Sequence, residues 1–88
     1  MSDKISDLLI ERGTTHGEFL DVARMAQGLK ADFRCGKSWD AMAMPHQEAL
    51  DMIATKLARI ASGDPKCAGH WEDIEGYARL AREWLNND

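Results

Sequence analysis

The segment PHQEALDMIATKLARIASGDP, residues 45–65, decides the fold. Pro45 suits the first turn of a helix, where its missing N–H has no partner to lose, and Gly63, Asp64 and Pro65 stop the helix after Ser62. Between these limits Leu50, Ile53, Leu57 and Ile60 recur at steps of three and four, the period of one helical face. The stretch therefore predicts a long amphipathic helix.

The same punctuation recurs on both sides. Upstream, Thr15 and Glu18 have the form of a capping box, opening a helix to about Arg34 with Phe19, Val22, Ala26, Leu29 and Phe33 on one face and Gly36 as its end. Gly28, inside that helix, costs about 1 kcal/mol relative to Ala, which implies close approach of another helix. Before it, Ser2 or Asp3 can cap a short helix to about Arg12, with Ile5, Leu8 and Leu9 aligned and Gly13 as the stop. Ser38 can cap a single turn from Trp39 to Met42 in the connector. Downstream, a last helix runs from about His70 to Asn86, turning Ile74, Tyr77, Ala78, Ala81 and Leu85 inward. Nothing alternates with the period of a strand, so the reading is all-α: one domain of four helices over residues 1–88.

Eighty-eight residues, 44% of them hydrophobic and 30% charged, make one small folded unit. A chain of this length buries only about 60–65% of its unfolded surface, so association with further copies is expected to complete the core. Trp71, Trp84 and the apolar residues of the first helix are the residues expected between subunits. Eleven basic against fifteen acidic residues, a net charge of −4, argue against binding of extended nucleic acid, which needs clustered cations. There is no apolar run of about 18 residues to cross a membrane. Cys35 and Cys67 stand alone and Met1 to Arg12 does not resemble a signal peptide, so the expected location is the cytoplasm, with both thiols reduced.

Residues able to do chemistry concentrate on the last two helices. Glu48, Asp51, Thr55 and Arg59 share one side of the third helix, with Lys56 adjacent, and His70 and Asp73 share a face of the fourth. Carboxylates spaced by three on neighbouring helices are how bundles hold Mg²⁺, so Glu48, Asp51 and Asp73 are candidate ligands. The plainer alternative is that these acids favour the positive N-terminal ends of their own helices. In an antiparallel pair, Glu48 and Asp51 reach Asp73 only across a bundle twist or from a second subunit. Lys56 and Arg59 either complement a helix C-terminus or hold phosphates, Arg59 with a planar fork and Lys56 as a point charge.

The aromatic residues divide in the same way. Trp71 and Trp84 read first as core or interface side chains, and Trp39, on the connector, as the candidate to stack on a base. Met42, Met44 and Met52 read as adaptable packing. His16, His46 and His70 lie at predicted helix starts without zinc spacing and read as surface or capping residues. A phosphate-binding glycine loop, a nucleophile elbow and an activated cysteine are all lacking.

Three short stretches occur together: Glu11-Arg12-Gly13-Thr14-Thr15-His16-Gly17-Glu18, then Lys56-Leu57-Ala58-Arg59, then His70-Trp71-Glu72-Asp73-Ile74-Glu75-Gly76-Tyr77-Ala78. In this order, over about residues 8–82, the chain resembles small phage and prophage proteins of unknown function. These are in turn similar to MazG-like all-α nucleotide pyrophosphatases and to phage nucleotide-modification-associated domains. The resemblance implies a small MazG-like four-helix bundle that binds a nucleotide or nucleotide-derived signal. By the same resemblance Mg²⁺ is held by Glu48, Asp51 and Asp73; the ligand is expected to be contacted by Lys56, Arg59, His70 and Tyr77 of the quoted stretches and by Trp39 of the connector. His70 stands where that family carries an acid, and Asp51 where it carries a longer one. These departures favour capture of the ligand, in a phage setting to blunt a host defence, over hydrolysis. The alternatives are a Mg²⁺-dependent nucleoside triphosphate pyrophosphatase and a structural or partner-binding phage accessory protein.

Overall fold

A computed structural model describes residues 3–85 and is all-helical: α1 (Lys4–His16), α2 (Phe19–Arg34), a 3₁₀ turn (Trp39–Ala41), α3 (Met44–Ser62) and α4 (Ala68–Trp84). The third helix keeps its expected limits, with Pro45 in its first turn and Gly63 as its cap. The last helix starts two residues earlier than expected. Its expected final residue, Asn86, and the alternative first cap, Ser2, lie outside the described residues.

The first helix departs from expectation at its end. Asp3 caps it, accepting the Ser6 N–H at 2.6 Å, but the helix runs through Gly13 to His16. Termination comes at Gly17, whose φ of 89° is the left-handed geometry that a side chain disfavours. The capping box does not form. Thr15 Oγ1 donates instead to the Glu11 carbonyl one turn back, and Glu18 becomes the cap residue of α2 without a side-chain bond. Ser38 likewise makes no side-chain cap.

Three helices form a layer with α3 in the middle. Gly17 lies against Ser62 at one end of α2 and Arg34 bonds Asp51 towards the other, so α2 runs antiparallel to α3. Lys56 meets Asp73, and His46 Nε2–H donates to the Ala81 carbonyl at 2.8 Å, so α4 is antiparallel on the opposite flank. Between α2 and α4 contact is at most marginal. At about 1.5 Å per residue α3 is about 28 Å long, yet the molecule extends 54 Å, so α1 continues the long axis beyond the layer.

This shape leaves little interior. Among the described residues the buried hydrophobic ones are Ala26, Ala49, Ala54 and Ala58, and no large side chain is fully buried. The predicted stripes exist as helical faces, but Phe19 is 87% exposed, Ile5, Leu9 and Leu85 are more than half exposed, and Ala78 also faces outward. The radius of gyration is 15.2 Å, against about 12 Å for a compact chain of this length. Four helices are therefore present, but one chain does not close them into a bundle.

Gly28 corrects a second expectation, since nothing lies within 4 Å of where its Cβ would stand. With helical geometry and open space, Gly28→Ala is expected to stabilise the chain by about 1 kcal/mol, read as a higher urea midpoint with an unchanged slope.

Candidate ligand-binding site

The end of α1 crosses the end of α3, and the backbones there nearly touch. A Cβ on Gly63 would meet the Thr15 carbonyl oxygen, the Gly17 nitrogen and the His16 carbonyl carbon. Closeness of this kind lets the Asp64 N–H donate to the Thr15 carbonyl at 3.0 Å. The same oxygen lies 3.3 Å from His70 Nε2, which donates to it from α4. A single carbonyl at the end of α1 thus ties α4 and the α3–α4 loop together.

Two imidazoles meet at this junction. His70, only 3% exposed, packs edge-on against His16 with ring centroids 4.7 Å apart. His16 Nδ1 is buried without a hydrogen-bond partner. Neither His16 nor His70 is the surface or capping residue that sequence suggests, and the part-buried His46 instead bridges to α4, where its ring meets Trp84. Burial, and after it the positive charges of His70, Arg59, Arg12 and Lys56, hold the His16 pKa below its usual 6.5. The unfolded imidazole therefore takes up a proton more readily. Stability from neutral His16 is complete above about pH 6.5 and is lost as pH falls from there through the folded pKa. The urea midpoint of the wild type should fall as pH is lowered from about 7.5 to 5.5, and His16→Asn should flatten that slope.

Cations outnumber acids around the two rings. The Lys56 ammonium, mostly buried, bonds the exposed Asp73 carboxylate at 2.9 Å, and that bond and charge, with His70 and Arg59 behind them, hold the Asp73 pKa below its usual range. Arg12 and Arg59 line an open groove of about 1220 Å³ between α1, α2 and α3, together with His16 and Glu18. Leu9, Phe19, Val22 and Ala26 supply its apolar wall, and Lys30 lies among the lining residues of α2. An apolar groove with guanidinium groups on its lining can hold a flat apolar body and a phosphate together.

The candidate residues from sequence fall into two groups. Lys56, Arg59, His70 and Asp73 gather at the junction. Tyr77 sits one turn beyond Asp73 on α4 and is half-buried. Asp51 and Trp39 belong to a separate cluster on the other half of α3, where Arg34 bonds Asp51 at 2.9 Å and lies 4.8 Å over the Trp39 ring, itself stacked with Phe33. Glu48 is exposed one turn before Asp51. One chain does not bring Glu48, Asp51 and Asp73 together, and among the described residues no group of three or more His, Cys, Asp or Glu side chains is placed to hold a metal ion. The helix-dipole alternative fits poorly too, because the first turns of α3 and α4 contain no acid.

Other residues take the places left to choice. Trp71 is half exposed and donates its indole N–H to the Pro65 carbonyl, and both cysteines are free. Sequence reasoning missed Arg12 and His16. Their spacing of four on α1, inside the quoted Glu11–Glu18 stretch, was the available signal. Among the described residues no helix is long and apolar enough to cross a membrane.

Compared with known proteins, the chain matches no family model, no curated protein and no solved structure.

Proposed function

We propose that the chain is a nucleotide-binding helical protein that captures a nucleotide or nucleotide-derived signal and works as a homo-oligomer. The observation carrying this reading is that Arg12, Arg59 and His16 line one apolar groove, with His70 packed edge-on against His16 behind it. A phosphate bound there gains charge-assisted hydrogen bonds from arginine. Resemblance to phage and MazG-like proteins supports the same ligand class, and in a phage setting such capture would blunt a nucleotide-signalled defence.

Capture is favoured over hydrolysis by the state of the carboxylates. Asp51 is held by Arg34 and Asp73 by Lys56, so the residues that the resemblance assigns to Mg²⁺ do not fit that ion within one chain. No step through the metal is derived. Self-association is supported by the exposed apolar helices and by a buried apolar core that, among the described residues, consists of alanines.

Incubation with a panel of nucleoside triphosphates and Mg²⁺, followed by chromatography, tests the distinction. Unchanged nucleotide that co-elutes with the protein is expected. Release of monophosphate and pyrophosphate, abolished in Asp73→Asn, would establish the pyrophosphatase instead.

A further inference from the structure

We infer that a second copy of the chain docks on the α1–α2 face, the α1 stripe of one protomer entering the groove of its partner. This deepens the self-association in the reading above and does not depend on the ligand. The area comes first. The chain exposes 6669 Å², whereas a compact folded monomer of its mass exposes about 5,200 Å². An excess of about 1,500 Å² is more than the roughly 800 Å² per partner that a stable interface takes.

The chemistry of the two surfaces matches. Ile5, Leu8 and Leu9 make an apolar stripe on a helix that projects from the layer, and no residue of α1 is fully buried. Phe19, Val22 and Ala26 line the groove, and of these Phe19, 87% exposed, and Val22 are not buried within their own chain. Lengths agree as well: α1 is about 20 Å long, and the α2 wall from Phe19 to Lys30 about 17 Å.

Geometry favours a closed two-fold pair. Leu9 and Ile10 line the same groove as Phe19, so a two-fold arrangement sets α1 against α1 as well as α1 against α2. Each protomer then supplies the helix that covers its partner's layer. Trp71 and Leu80 on α4 stay outside this interface, which narrows the broader expectation from sequence that the tryptophans lie between subunits.

Light scattering at micromolar concentration should give a mass near twice 9.8 kDa for the wild type. Leu9→Asp should halve that mass, and Leu80→Asp, on α4, should leave it unchanged. To avoid reliance on a variant that fails to fold, benzoylphenylalanine placed at position 5 should photo-crosslink two chains, with attachment within residues 19–30. A monomeric wild type, or crosslinks confined to α4, overturns the docking. A monomer that still binds nucleotide refutes the docking alone, and a dimer that binds none refutes the ligand reading alone.

Discussion

Gly63→Ala is expected to cost about 3 to 5 kcal/mol, among the largest effects a single methyl group can have. The reason is the identity of the atoms in the way. A Cβ at this position would overlap the Thr15 carbonyl oxygen, with the Gly17 nitrogen at 2.6 Å and the His16 carbonyl carbon at 2.7 Å, all of them backbone. Flexible side chains could turn aside; these atoms move only if α1 separates from α3. Separation also breaks the Asp64 and His70 bonds to the Thr15 carbonyl. At about 0.05–0.15 kcal/mol per residue the whole chain is stable by about 4 to 13 kcal/mol, so the substitution removes from about a quarter to all of that stability, and the variant should show reduced helicity by circular dichroism or a clearly lower urea midpoint. Wild-type ellipticity and an unshifted urea midpoint would show that the junction is not tightly packed.

Arg59→Ala is expected to weaken nucleotide binding about 10- to 100-fold, since a hydrogen bond to a charged group is worth about 1.5–3 kcal/mol. Arg59 sits in the last turn of α3, lines the groove, and has no carboxylate partner among the ion pairs of the described residues. Lys56 differs, because Asp73 already neutralises part of its charge. Arg59→Lys keeps the charge but loses the two-point fork, and should recover only part of the affinity. Calorimetry on the three proteins measures this directly, and equal affinities would remove Arg59 from the site.

Local chemistry made the helices legible. Pro45 and Gly63 delimit α3 through backbone constraints that act on any chain, and Asp3 caps α1 for the same reason. The end of α1 was not legible, because Gly13 is compatible with a helix and only the contact of Gly17 with Ser62 selects the later stop. Periodicity revealed that Phe19 and Val22 share a face but not whether anything covers it. For the site, spacing placed Lys56 with Arg59 and His70 with Asp73, and antiparallel packing joined the two pairs. It could not show that His16 packs on His70, fifty-four positions away, nor that Arg34 claims Asp51 and Trp39.

On the proposed function, a nucleotide phosphate binds at the His16–His70 junction. The decisive measurement is a titration of the imidazole resonances of the ¹⁵N-labelled protein with a nucleoside triphosphate, and separately with a cyclic dinucleotide. Saturable shifts of His16 and His70 with at least one of these ligands, and little movement of His46 at the far end of α3, are the predicted result. Titrations that leave both junction imidazoles unmoved would contradict it.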